Sequence, residues 1–213
     1  LSRVTEVSPR KLEVTKFPFR YTYPGVFVSF FVEFSSYEIK FMKKHIILTG
    51  FMGSGKTTTG RVLAARLGWD FIDTDEVIVH RLGMPIPQVF AQYGEGYFRQ
   101  VEAQVCAEVS ERRAPAVIAL GGGALLNPET RQLLEARGEI FCLVCDLDEL
   151  MRRVQRGEGE AQNRPLFQAE RARLEALLEA RRPIYERYPQ IDTTTSSPER
   201  VAEEILRQWN TLR

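Results

Sequence analysis

Residues 50–57 read Gly-Phe-Met-Gly-Ser-Gly-Lys-Thr. The spacing fits G-x-x-x-x-G-K-[ST], a loop whose backbone N–H groups wrap the phosphates of a nucleotide. Lys56 is the only lysine among residues 45–213, a stretch that holds 20 arginines. A compact ammonium reaches phosphate oxygens inside a tight loop, where a planar guanidinium fits poorly. Thr57 offers a hydroxyl to Mg²⁺. Gly53, Ser54, Gly55, Lys56, Thr57 and Thr58 are thus the candidate contacts for a nucleoside triphosphate.

Other residue groups could act beside such a loop. Asp73-Thr-Asp75 supplies two carboxylates, one to hold hydrated Mg²⁺ and one to accept from, or deprotonate, a substrate hydroxyl. The same residues also suit the start of a helix, with Thr74 or Asp75 as its cap. Gly121-Gly-Gly123 follows the apolar run Val117-Ile-Ala-Leu120, a place for close backbone approach to a ligand. Glycines stand where many nucleotide-hydrolysing proteins carry a second carboxylate, so metal duty falls on Asp73 or Asp75. The guanine-reading pattern N-K-x-D is absent. Nine arginines lie between Arg152 and Arg187, some of which would face phosphate. Cys142 and Cys145 are spaced C-x-x-C in a strand-like run, which points their thiols to opposite faces and argues against redox or metal use. His45 and His80 lack a second metal-ligand type at zinc-site spacing.

The elements that must position these residues follow from periodicity. His45-Ile-Ile-Leu-Thr49 is a short apolar run, as expected of a buried parallel strand. Further strands are predicted at 69–72, 117–120, 139–144 and 190–192. Helices are predicted at 56–67, 76–82, 86–92, 95–112, 129–136, 147–154, 170–187 and 199–211. Gly68 supplies a stop after the first of them. This alternation implies an α/β fold with a five-stranded, mostly parallel sheet flanked by helices, its ligands at the carboxyl edge of the strands. Two segments interrupt it. A helical insert, about 73–112, has the makings of a substrate-binding subdomain. The polar stretch 155–169 reads as a loop, and a lid there would keep water from the transferring phosphoryl group.

Bulk properties set limits. The 213 residues are 44% hydrophobic and 27% charged, enough for one full-sized domain. Net charge is +1, which offers no argument for nucleic acid or an anionic membrane as a partner. Three cysteines, an odd number, fit a reducing compartment. Residues 1–41 differ in holding ten of the 22 aromatics and no helical period. Their run Val26–Val32 is too short to span a bilayer. Met42-Lys-Lys directly precedes the first core strand, so 1–41 is expected to be an N-terminal extension outside the fold. Met42 then marks the functional start and 42–213 the domain. A transit-like segment is the alternative.

Taken together, G-F-M-G-S-G-K-T-T-T-G at 50–60, D-T-D at 73–75, F-R-x-x-E at 98–102, G-G-G at 121–123, R-P-L at 164–166 and R-x-P-x-Y at 181–185 resemble the shikimate kinase family. The resemblance runs from Met42 to the C-terminus. It departs at Phe167, where an aliphatic residue is common, and at Gln100, where a second basic residue is frequent. It implies a P-loop NTPase fold of the nucleoside-monophosphate-kinase type, with a substrate-binding insert and a lid. The implied activity is ATP-dependent phosphorylation of the 3-hydroxyl of shikimate, giving shikimate 3-phosphate and ADP on the way to chorismate and aromatic amino acids. The implied partners are ATP and shikimate with Mg²⁺, in a cytoplasmic monomer without nucleic-acid or membrane partners. By the same resemblance, Lys56, Asp75 and Arg164 are catalytic, and Arg164 closes from the lid on the phosphates. Arg153 packs on adenine. Asp75, Gly122 and Gly123 contact shikimate, whose carboxylate Arg99 and Arg181 clamp. Thr57, and Asp73 through water, serve the metal. The alternatives are another hydroxy-acid kinase, such as a gluconate kinase, and a non-catalytic regulatory relative. The second should have lost Lys56, Asp73 or Asp75, and all three are present.

Overall fold

A computed structural model of the chain describes residues 14–23, 26–35, 43–157 and 165–212. It forms two units, Leu1–Met42 and Lys43–Arg213. In the first, β1 (Val14–Tyr23) and β2 (Val26–Ser35) pair antiparallel. No strand is expected there from helical or aliphatic periodicity. The overlooked signal is a period of two: Phe17, Phe19, Tyr21 and Tyr23 take Val32, Phe30, Val28 and Val26 as register partners.

In the second unit the strands are β3 (His45–Gly50), β4 (Asp70–Asp73), β5 (Ala116–Ala119), β6 (Gly138–Val144) and β7 (Gln190–Asp192). They make one parallel sheet in the order β4-β5-β3-β6-β7. The expected sheet is therefore found, wholly parallel. Side chains alternate across it. Ile47, Ile118, Ile140 and Cys142 join one buried cluster, and Ile46, Leu48, Val117, Phe141 and Leu143 join the other. The second cluster is closed by α1 (Lys56–Leu67) and α7 (Pro198–Leu212), which supply Leu63, Val201, Ile205 and Trp209.

The other face carries the insert. It consists of α2 (Thr74–Leu82) and α3 (Ile86–Ser110), the latter being two helices joined across a kink, so the three helical stretches expected are present. Gly94 breaks α3 with φ 79° and ψ 170°, between the two helices expected at 86–92 and 95–112. Past the break, Phe98, Val101, Val105 and Val109 are buried at helical spacing and hold α3 to the core. His45 anchors its far end. The buried ring accepts from the Ala116 N–H at Nδ1 (3.1 Å) and donates from Nε2 to the Ser110 carbonyl (3.1 Å). That pattern needs a neutral imidazole, and burial lowers its pKa accordingly.

After β5 come α4 (Pro128–Arg137), then α5 (Leu147–Gly157) and α6 (Pro165–Tyr185), which flank the segment where a lid is expected. Of the loop expected over 155–169, both ends are helical instead, and 158–164 lie outside the described residues. α5 runs on to Gly157, and α6 begins at Pro165, a residue pre-shaped for a first helical turn. Pro183 lies within the last turns of α6, as the sequence indicates.

Candidate active site

The carboxyl ends of β3, β4 and β5, with the loop after β7, gather most of the candidate residues. Gly50 leaves β3 with φ 134°, and a Cβ there would sit 2.3 Å from the Leu143 carbonyl oxygen. Gly55 caps α1 in the left-handed region, φ 91°, with no side-chain cap, so the first N–H groups of the helix stay available to an anion. Lys56 folds over this loop and donates to the carbonyls of Gly50 (2.9 Å) and Phe51 (3.0 Å). Burial lowers its pKa, and the nearby Asp75 and Asp73 carboxylates oppose the shift. A cavity of about 520 Å³ opens beside the loop and is lined by Gly53 through Thr59, Arg153, Thr193, Ser196 and Pro198. Seven of the eight residues expected to meet the nucleotide lie on it, the six of the loop and Arg153.

Arg153 reaches this cavity from α5. Its Nε donates to Glu149 (2.8 Å) and its Nη1 to the Thr193 hydroxyl (3.3 Å), with Nη2 on the Thr193 carbonyl. Thr193 itself is buried and donates to the Ser54 carbonyl (3.0 Å), tying the loop after β7 to the phosphate loop. Sequence reasoning missed this segment. Its signal was the hydroxyl-rich run Thr193-Thr-Thr-Ser-Ser197 directly after a short strand at the ligand edge. Arg164 lies outside the described residues.

Asp73 ends β4 and caps α2. One carboxylate oxygen accepts from the Asp75 N–H (3.0 Å) and the other from the Thr57 hydroxyl (2.7 Å). The cap is thus Asp73, one residue before those expected, because β4 runs one residue further than predicted. A hydroxyl and a carboxylate side by side are hard oxygen donors. With water filling the other positions, they fit Mg²⁺, which keeps much of its hydration shell. Among the described residues no group of three or more His, Cys, Asp or Glu is placed to hold a metal. Cys142 is buried, and its thiol pKa is pushed up to about 12 by that burial.

The triple glycine organises the opposite end. A Cβ on Gly121 would lie 2.7 Å from an Asp75 oxygen and 2.8 Å from a Glu102 oxygen. One on Gly122 would meet Arg181 at 2.9 Å, and one on Gly123 would meet Arg99 at 2.5 Å. Each glycine therefore makes room for a different charged side chain. Tyr185 holds the turn by donating to the Gly122 carbonyl (2.7 Å), and Thr74 accepts from the Gly121 N–H (3.0 Å). Burial, with Asp73 and Glu102 adding to it, raises the Asp75 pKa to about 6.

Two guanidinium groups converge on this turn. Arg181 is buried, its Nε makes no hydrogen bond, and its guanidinium carbon lies 5.7 Å from the centre of the Phe51 ring. Arg99 donates from Nη1 to the buried Glu102 (2.7 Å), and from Nε (3.2 Å) and Nη2 (3.0 Å) to Glu95. Two cationic forks beside a carboxylate of raised pKa, next to a nucleotide cavity, make a place for a hydroxylated acid.

The shikimate kinase family profile matches residues 52–210. The chain belongs to the shikimate kinase family. Among curated relatives, a shikimate kinase of Thermodesulfovibrio yellowstonii is 40% identical over 172 residues, covering 79% of this chain and 96% of that protein. One of Moorella thermoacetica is 42% identical over 175 residues, covering 79% and 97%. Among solved structures, the shikimate kinase of Acinetobacter baumannii in complex with shikimate aligns with a TM-score of 0.70 at 36% identity, covering 79% of this chain and 94% of that one. The activity is that of the family: transfer of a phosphoryl group from ATP to shikimate. This decides against both the gluconate kinase and the non-catalytic alternative.

Proposed function

We propose that the site divides the shikimate kinase reaction between its two ends as follows. The N–H groups of Gly53 to Thr58 cradle the phosphates, Lys56 turns from its carbonyl partners to the β- and γ-phosphate oxygens, and Arg153 borders the base. Thr57, and Asp73 through water, hold Mg²⁺. That ion neutralises charge on the phosphates when bound. At the other end, Arg99 and Arg181 receive the shikimate carboxylate, while Asp75, beside Gly122 and Gly123, accepts from the 3-hydroxyl. The hydroxyl oxygen bonds to the γ-phosphorus as the bridging oxygen leaves with ADP, and the proton passes towards Asp75. Arg164 acts on the phosphoryl group from the lid.

The observation that carries this reading is the triple glycine, against which Asp75, Arg181 and Arg99 each make a close approach. The buried Arg181 Nε, with no partner in the protein, supports an anion as the missing partner. Three free cysteines support a reducing, cytoplasmic setting, and the monomer is carried over from the family resemblance alone. We read 42–213 as the kinase domain and 1–41 as an extension outside it, supported by the family profile starting at residue 52.

Steady-state kinetics test the assignment. Losing one arm of a charge-assisted clamp costs about 2–4 kcal/mol of binding, so Arg99→Ala and Arg181→Ala are expected to raise KM for shikimate roughly 30-fold or more, with KM for ATP little changed. Arg164→Ala is expected to lower kcat instead. Residues 42–213 alone should match the whole chain in both constants. Weakened ATP use with shikimate use intact, in either clamp variant, would refute the acid site.

A further inference from the structure

Arg99 and Arg181 face the same turn in opposite states of readiness. The Arg181 Nε has no hydrogen-bond partner. Arg99 is engaged at three nitrogens by two carboxylates of its own helix, Glu95 at i−4 and Glu102 at i+3. With Glu102 on Nη1, Nε and Nη2 form the edge that offers two N–H groups side by side, the geometry a planar carboxylate matches best. A single Glu95 oxygen takes both of those groups.

The two glutamates are not equally able to leave. The Glu102 side chain is 4% exposed, so parting it from Arg99 strands a buried charge beside Asp75. That of Glu95 is 65% exposed and returns to water at small cost. Glu95 also follows Gly94, whose backbone departs from helical geometry and has open space around it. Few packing contacts resist its displacement.

We propose that Glu95 is an internal carboxylate that occupies the acid-binding edge of Arg99 in the empty enzyme, and that shikimate must displace it. Glu102 remains as the fixed partner that keeps Arg99 oriented. Glu95 is therefore a positioning residue of negative sign: it weakens substrate binding and screens against acids too weakly held to replace it. The inference rests on Arg99 being an arm of the clamp.

Its sign separates it from a supporting role. Exposed ion pairs of this kind are weak, so Glu95→Ala is expected to tighten the Kd for shikimate by about two- to five-fold in calorimetric titration. Glu95→Gln, which keeps the size and loses the charge, should give part of that gain. KM for shikimate should fall in step, and KM for ATP should not. Combining Glu95→Ala with Arg99→Ala tells contact from long-range charge: the gain must disappear once Arg99 is gone. An unchanged or weaker Kd in Glu95→Ala overturns the proposal, as does a gain that persists without Arg99. Failure of the clamp reading shows separately, as an Arg99→Ala protein that binds shikimate like the wild type.

Discussion

The nucleotide end and the acid end of the site are both built around cations, yet they hold them by different means. Lys56 rests on two backbone carbonyls, and Thr57 on one Asp73 oxygen. Neutral carbonyls are given up cheaply when phosphate arrives, and the glycine loop that carries them barely needs to change. Arg99 instead rests on two carboxylates, one of them buried. A charge removed from the first end breaks no ion pair within the protein. Loss of Arg99 from the second is missed by the protein as well, because Glu102 is left behind in low dielectric.

The largest effect that can break this comparison is at Lys56. Replacing it with Met removes a cation aimed at charge that develops during phosphoryl transfer, and kcat is expected to fall by about 10²–10³-fold. Burial already disfavours the ammonium, so thermal stability should stay level or rise. A marked loss of melting temperature would mean that Lys56 is structural and that the two ends are alike.

A smaller effect sharpens the contrast within the acid end. Arg99→Ala strands Glu102 and is expected to lower stability by about 1–3 kcal/mol in urea denaturation. Arg181→Ala removes a buried guanidinium that strands no carboxylate, and should stay within about 1 kcal/mol of the wild type. Equal losses would show that Glu102 is already protonated and does not depend on Arg99.

The last expected effect concerns pH. In its proposed role Asp75 accepts from a shikimate hydroxyl more strongly as the carboxylate, and burial raises its pKa to about 6. Shikimate binding without nucleotide should therefore strengthen as pH rises through about 6 and level off above it, by about ten-fold between pH 5 and well above 7. Titration by intrinsic fluorescence reads this directly. In Asp75→Asn the acid limb should vanish, and a limb that survives would belong to another group.

How far these features could be read in advance depends on how local they are. The phosphate loop was legible because strand, glycines, lysine and helix follow one another within 23 residues, His45 to Leu67. The same holds for the parallel sheet, whose strands are short apolar runs. Arg99 and Glu102 stood in a noted motif, but the part Glu102 plays depends on lying beside Asp75 and Gly121, which come from other elements. Thr193 meets Ser54 across 139 residues of sequence, and nothing local announces that bond. The aromatic hairpin was missed for another reason: helical periodicity was sought where the period is two.

The His45 anchor bears on how the insert moves. It fastens the end of α3 to the start of β5, at the edge of the sheet away from the phosphate loop, while valines along the helix seat it on the core. Breaks from helical backbone in the insert, at Gly83–Pro85 and at Gly94, lie ahead of Glu95. Mechanically, α3 is held on both sides of Glu95, by Val89 ahead of it and by Phe98 and the valines behind it, and the turn at Gly94 is the weak point between the two. In the proposed scheme the displaceable carboxylate of Glu95 sits beside that weak point, and the arginine it covers sits on the side held by Phe98 and Val101.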